Sequence, residues 1–415
     1  MFESDRKLRH LPFFEAIASS DDGDAEWHAA TAGLVVLRLV DAWIEEGPRA
    51  VTSDEWGLRA VKTAIDNLES REKIKSVLSS ICGLMEASVV IDMGLLAPRL
   101  MAYGQLLEYD SRWALATDVY TTIVAHTHPV QEADLATQAH LRRGFCLRQL
   151  GNLTDSLSAY ETAGSIASAA NDMVGVLRAR IGEAKGAIAR GNMPRAQQLL
   201  DETISRATEH RLDAVRSMAL HDRSDVAFQT GDYELAIKLA YQALAITASS
   251  RERDRILGDI AASFYKLGVH TSARDAYVIL AATAQEQYQR WIATLNLMEI
   301  AAADGEELLF EQYRRSIDVG ALPPQQEVLY WLQAGVGYGY LGNYAEGRVF
   351  IARALSIAED HELNRMAFEA EQALRDLDRE RRVVERQAGS AYVLAGDVEE
   401  VAEALRTERT KINVK

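Results

Sequence analysis

Apolar residues recur at spacings of three and four along most of the chain, and glycine interrupts them at near-regular intervals. The segments LRQLGNLTDSLSAYETA (147–163), AIARGNMPRAQQLLDET (187–203), AFQTGDYELAIKLAYQA (227–243), FYKLGVHTSARDAYVIL (264–280) and YGYLGNYAEGRVFIARA (338–354) align without gaps on Gly151, Gly191, Gly231, Gly268 and Gly342. The steps between these glycines are 40, 40, 37 and 74, and because 74 is twice 37 a further unit is expected at Gly305. One step of 40 back from Gly151 reaches Ser111, in the weaker copy LEYDSRWALATDVYTTI, which lacks the glycine. Each unit predicts a helical hairpin, in which an apolar-periodic helix runs into a residue tolerant of positive φ and a second amphipathic helix starts two or three residues later. Small residues recur where the two helices would meet. Gly144, Ala184, Ser224, Ala261 and Gly335 lie seven before the glycine, and Ser156, Ala196, Ala236, Ala273 and Gly347 lie five after it. Larger side chains such as Tyr160, Leu200 and Tyr277 are placed to fill the gaps between hairpins.

This layout resembles the tetratricopeptide repeat, whose pattern runs Trp, Leu-Gly, Tyr, then Gly-x-Tyr, Ala, Phe/Tyr and Ala. Trp331, Gly335, Tyr338, Gly342, Tyr344 and Ala354 carry it in one unit, and Gly231, Tyr233, Ala236 and Ala243 in another. Over residues 97–361 the resemblance implies an all-α, right-handed superhelical solenoid of about seven hairpins. The 305 unit departs from the pattern by placing Phe310 where a small residue is expected. Spacings of 37 and 40 exceed the usual repeat of about 34 residues, so the helices or the connections between units are expected to be longer.

A stack of hairpins needs its end faces covered. Residues 1–96 are read as an N-terminal helical domain of about four helices, with breaks at 19–23 and 46–53, and residues 362–415 as C-terminal capping helices. A long charged helix is expected over Asn364–Gln387 and a short last one over Val398–Thr407. The stripe Leu363, Met366, Ala370, Ala373, Leu377 and Val384 is expected to pack on the last repeat, or alternatively to join a homodimer. A helical N-terminal domain ahead of seven such units is also similar in layout to bacterial peptide-sensing regulators.

The composition adds mainly exclusions. The 415 residues are 48% apolar and 26% charged, with only 7 prolines to break helices, and the net charge of −16 repels nucleic-acid phosphates and anionic membrane surfaces. Residues 1–96 carry more Asp and Glu than Lys and Arg, which disfavours a DNA-binding domain there. The most apolar run, Ala32–Ile44, is interrupted by Arg38 and Asp41 and reads as a buried helix rather than a membrane span. Residues 1–20 lack the apolar stretch of a secretory signal, and the two cysteines, Cys82 and Cys146, read as small buried hydrophobes. A cytoplasmic location is expected.

No GxGxxG follows a predicted strand, and GxxxxGK[ST], HExxH and GxSxG are absent. Gly335, Gly337 and Gly339 alternate within a first helix, where close helix packing explains them. His126 and His128, in the connection after the Ser111 unit, and His221 with Asp225, Asp222 and Asp259, are the places where a metal or an acid–base pair is conceivable, but the first set reads more simply as a polar loop and the second as polar groove surface. No metal, no cofactor and no enzymatic activity are expected; the alternative is an enzyme with an unrecognised site.

In the resembling family the first helix of each hairpin lines a concave groove that holds extended or helical segments of partner proteins. With each turn glycine counted as position 15, positions 2, 5, 6, 9 and 12 face that groove. They give Arg142, Phe145, Arg148, Arg178 and Lys185 early, and His221, Asp222, Asp225, Phe228, Asp259, Asn296 and Glu299 later. The resemblance thus implies a scaffold for a protein or peptide partner, acidic where it faces Arg142, Arg178 and Lys185, and basic or polar toward Asp222, Asp225 and Asp259. A competing expectation places most of the affinity in an apolar stripe around Phe145, Phe228 and Tyr265. The alternative function is a peptide-responsive regulator whose N-terminal domain grips a target protein.

Overall fold

The computed structural model describes residues 9–47, 55–68, 71–87, 90, 92–361, 363–378, 394 and 396–412. These residues form twenty α-helices and one short 3₁₀ turn, with no strand among them. They divide into two compact units, residues 1–215 and 216–415.

The repeat length follows from counting. First helices run Met93–Tyr109, Ala133–Gln149, Met173–Ala189, Asp213–Gln229, Ser250–Lys266, Gln287–Ala303 and Pro324–Tyr340, each of 17 residues. Their second helices are Trp113–His126, Leu153–Ala169, Met193–Glu209, Tyr233–Ile246, His270–Thr283, Glu307–Ser316 and Tyr344–Asp360. Two 17-residue helices joined by three-residue turns give 40. Where the second helix shortens to 14 residues, as in Tyr233–Ile246 and His270–Thr283, the step becomes 37. The excess over the family spacing is carried by the helices in these units, and by the connections after the short second helices Trp113–His126 and Glu307–Ser316.

The turns share one hydrogen-bond pattern. Gly151 N–H donates to the carbonyl of Arg148 at 3.0 Å, and Asn152 N–H donates to that of Leu147 at 2.9 Å, closing a Schellman motif. The second of these bonds recurs at Asn192, Asp232, Val269, Glu306 and Asn343. All six turn glycines sit at φ between 74° and 86°, where a Cβ is disfavoured. Ser111 adopts φ 57° with Arg112 N–H donating to Leu107 at 2.8 Å, so the weak copy turns as its register predicts. Asn171 and Arg211 make the same turn between hairpins. Asn152, Asn192 and Asp232 then cap the following helix by accepting from the N–H three residues on.

The small residues lie at the helix seams. Ser156 Oγ donates to the carbonyl of Gly144 at 2.7 Å, and a Cβ on Gly335 would stand 2.8 Å from the carbonyl of Gly347. Gly144 and Gly182 receive the ring of Tyr160, as Gly104 receives that of Tyr120. Phe310 is accommodated by Gly337 of the next hairpin, whose missing Cβ would lie 2.5 Å from the phenyl ring. The Gly335-Val-Gly-Tyr-Gly339 alternation is thus a packing device.

In the first unit, Leu11–Ser19, Ala25–Glu46, Glu55–Asp66 and Glu72–Ala87 precede the hairpins at Ser111, Gly151 and Gly191. Ala25–Glu46 is longer than its apolar run, and by length and composition alone it is long and apolar enough to cross a membrane, a test that a buried core helix also passes. It instead buries Val36, Leu37, Val40 and Trp43 in a core that continues through Leu78, Leu100 and Tyr120 to Cys146. Burial pushes the Cys82 thiol up to about 12, and raises that of Cys146 as well, so both stay protonated.

His10 pins the N-terminal end of this core. Its Nδ1 lies 2.7 Å from Asp118 and its Nε2 3.3 Å from Asp41, whose other oxygen lies 3.2 Å from His126 Nε2. His126, expected in a loop, ends the Trp113–His126 helix and is occupied by this contact. Burial alone would lower the His10 pKa, but the bonds to Asp118 and Asp41 outweigh it and hold the imidazole at about 9.

In the second unit, four hairpins are followed by Asn364–Asp378 and Gly396–Ile412. Ala370, Ala373 and Leu377 pack with Ile351, Ala354 and Ala358 of the last hairpin, as the stripe predicts; Val384 and the rest of the expected charged helix lie outside the described residues. Gly396–Ile412, longer than expected, does not continue this cap. It packs across Tyr233–Ile246 and His270–Thr283, burying Val398, Val401 and Leu405. Arg409 binds the buried Asp275 at 2.5 Å, Lys238 binds Asp397 at 2.9 Å, and Arg253 binds Glu408 at 3.0 Å.

Candidate functional site

Within each unit, neighbouring first helices present their groove positions side by side and many of these pair with one another. In the first unit Arg142 donates to Glu108 of the preceding first helix at 3.1 Å, and Glu108 also accepts from Tyr120 at 2.6 Å. Phe145 meets Trp113 edge to face at 5.6 Å and lies under the guanidinium of Arg148. It packs against the N-terminal core rather than standing free.

The second unit repeats the device with acids. His221 Nε2 lies 2.6 Å from Asp259 of the next first helix and Nδ1 3.7 Å from Glu252. Burial opposes its charge, yet Asp259 and then Glu252 hold the imidazole at about 9. Tyr265 donates to Glu299 at 2.9 Å, and Gln333 donates to the second Glu299 oxygen at 2.9 Å. Asp225 accepts from Gln229, Asn296 donates to its own helix at Ile292, and Phe228 packs edge to face on Tyr233. These contacts form a ladder from position 5, 9 or 12 of one first helix to position 6 or 9 of the next. These hairpins are tetratricopeptide-like. Their periodic glycines, helix lengths and small-residue seams reproduce that layout in both units.

Arg178 stands apart from the ladder. It is half-buried, with no hydrogen bond or ion pair among the described residues, and it lines a cavity of about 450 Å³ between Ala133–Gln149 and Met173–Ala189. Asp134, Thr137 and Leu141 line the cavity from one helix, and Asp172, Val174 and Arg178 from the other helix and the turn before it. Burial, and then the neighbouring charge of Arg142, lowers the Arg178 pKa. The Thr137 hydroxyl is buried and has no hydrogen-bond partner. Lys185 is half-buried on the same helix as Arg178. Sequence position identified Arg178 as groove-facing, but Asp134, Thr137 and Asp172 carried no signal beyond helix-end polarity. No group of three or more His, Cys, Asp or Glu side chains among the described residues is arranged to hold a metal ion.

No family model and no curated protein matches the chain. Among solved structures it is similar to the apo form of the quorum sensor NprR from B. thuringiensis, at 14% identity over 78% of this chain and 97% of that one, with a TM-score of 0.48. It is also similar to a Rap protein complexed with competence and sporulation factor, at 11% identity over 85% and 98%, TM-score 0.45. A third is the C-terminal part of a TPR repeat-containing protein from Cytophaga hutchinsonii, at 16% identity over 67% and 95%, TM-score 0.36.

Proposed function

We propose that the chain is a protein-binding scaffold that holds a segment of a partner protein against the faces of its first helices. One observation carries this reading. The extra helices of the second unit dock on second helices (Gly396–Ile412) or on the last hairpin (Asn364–Asp378), and leave the row of first-helix positions to half-exposed polar and aromatic side chains. In the first unit that row also holds the cavity at Arg178. A face of this kind suits a peptide segment, which can use pockets for side chains and polar groups for its backbone.

Photo-crosslinking tests the assignment of the face. A benzophenone side chain placed at Gln138, on a first helix, should capture a discrete partner in extracts of the native cell. The same group at Glu161, exposed on a second helix of the same hairpin, should not. Equal capture at both positions, or capture only at Glu161, would move the interaction to another surface and end this reading.

A further inference from the structure

Gly396–Ile412 is not needed as an end cap, since Asn364–Asp378 already covers the last hairpin. It lies instead on the second helices of the hairpins that turn at Gly231 and Gly268, both shortened to 14 residues. Lys238 of the first of these hairpins binds Asp397 near one end of the helix, while Asp275 and Arg253 of the next bind Arg409 and Glu408 near the other. Val398, Val401 and Leu405 are buried between these ends. One helix is thus fastened to both sides of a single joint. The first helices of the same two hairpins are bridged by His221, which lies 2.6 Å from Asp259 and 3.7 Å from Glu252. Between brace and bridge the hairpins meet through residues 247–249 and the contact of Tyr233–Ile246 with Ser250–Lys266, which forms the fulcrum.

Each hairpin is two helices thick, about 20 Å, so tilting one against its neighbour by roughly 6° about mid-depth moves each face by about 1 Å. That displacement takes the 2.6 Å contact of His221 with Asp259 out of hydrogen-bond range. The contact made by 396–412 is of a kind that opens, because it buries few apolar side chains and leaves Asp397 and Glu408 half-exposed in their ion pairs. We infer that Gly396–Ile412 is a releasable brace that sets the angle between these two hairpins, so that its docking on the second helices governs the state of the first-helix face. The linkage runs both ways, because two contacts that share one joint bias the same equilibrium. Whatever captures the C-terminal helix loosens the His221 bridge, and whatever parts His221 from Asp259 loosens the helix. The inference goes beyond the scaffold reading and does not rest on it, as both contacts lie within this chain.

The test uses full-length protein carrying isotope-labelled histidine, titrated by NMR. In wild type His221 and His10 should both titrate near pH 9, and His221→Asn identifies the first of them. Val401→Asp combined with Leu405→Asp puts two carboxylates into the apolar contact and should undock the helix, read as loss of hydrogen-exchange protection over 396–412. In this variant the His221 midpoint should fall by about one pH unit, a tenfold weaker hold on its proton. His10, in the first unit, should not move. An unchanged His221 beside an exchanging helix overturns the inference. So does continued protection of 396–412, which would make the helix a fixed part of the array, and so does an equal fall at both histidines, which would mark general loosening. Should the double variant fail to fold, the linkage is read from the other face. Asp259→Asn, at a largely exposed position, keeps the size of the side chain but gives up its charge, and should speed exchange over 396–412 by about fivefold. Asp225→Asn, whose partner Gln229 is on its own helix, should leave that exchange as it was. Equal effects of these two substitutions, or none from either, overturn the inference.

Discussion

The two units carry polar and charged side chains on the same face of their first helices and match them differently. In the second unit His221, Tyr265 and Gln333 are matched by Asp259 and Glu299, so these three groove residues have their partners one repeat away. In the first unit Arg142 is matched by Glu108, while Arg178, at the position equivalent to Gln138, has none. Repeat position fixes where a side chain points. The neighbouring repeat decides whether its charge is already satisfied, and so whether it can discriminate among ligands.

The units differ at their seams as well, and here the largest effect is expected. A Cβ at Gly335 would press on backbone atoms of Gly347 and Ile351, which cannot yield without separating the helices, whereas at Gly144 it would meet the movable ring of Tyr160. Gly335→Ala should cost about 3 kcal/mol in urea unfolding and Gly144→Ala about half of that. Equal losses would mean that ring and backbone seams are alike.

Next comes matched against unmatched arginine. Arg409→Met leaves Asp275 buried without its partner and should weaken docking of Gly396–Ile412 by about 2 kcal/mol after allowance for the partly exposed guanidinium, read as faster hydrogen exchange over 396–412. Arg178→Met should leave stability unchanged or raise it by up to about 1 kcal/mol.

The two charged histidines provide a pH comparison. Both His10 and His221 are held at about 9, above the unfolded value. Their contribution is therefore complete below about pH 6.5 and is lost as pH rises through 9. Replacing either by Asn should remove about 1–2 kcal/mol at pH 6 and almost nothing at pH 10. The loss should be larger for His10, whose acids Asp41 and Asp118 are well shielded while Asp259 is largely exposed.

The smallest effect is at the turns. Ser111→Gly should stabilise by about 0.5 kcal/mol, and Gly191→Ala should cost about 1 kcal/mol, since only the second adds a Cβ to a left-handed residue. Thermal melts would separate the two signs.

Most of the array was legible in the chain because its determinants are local. A glycine ends the first helix of six hairpins, and the near-constant step between these glycines lets even the turn at Ser111 be placed by counting. The candidate site was legible only as a face. That Arg142 is bridged and Arg178 is not depends on whether the preceding first helix offers a glutamate at the right height, and residues 34 or more positions apart leave no periodic trace. His126 read as a loop residue for the same reason, since its partner Asp41 is 85 residues away. Phe310 looked out of pattern until Gly337 supplied the missing volume from the next hairpin.

The described ends of the chain are fastened by contacts unlike those of the hairpins. His10 reaches Asp118 across 108 residues and Arg409 reaches Asp275 across 134, whereas helices within a hairpin meet over about a dozen. Closing loops of that length costs about 2 kcal/mol more entropy than closing a hairpin, so hairpin and neighbour contacts form first and these fastenings last. Interactions absent from the folding transition state act on the rate of unfolding. His10 and Arg409 are thus kinetic clasps: removing either should leave the refolding rate nearly unchanged and shorten the lifetime of its own unit.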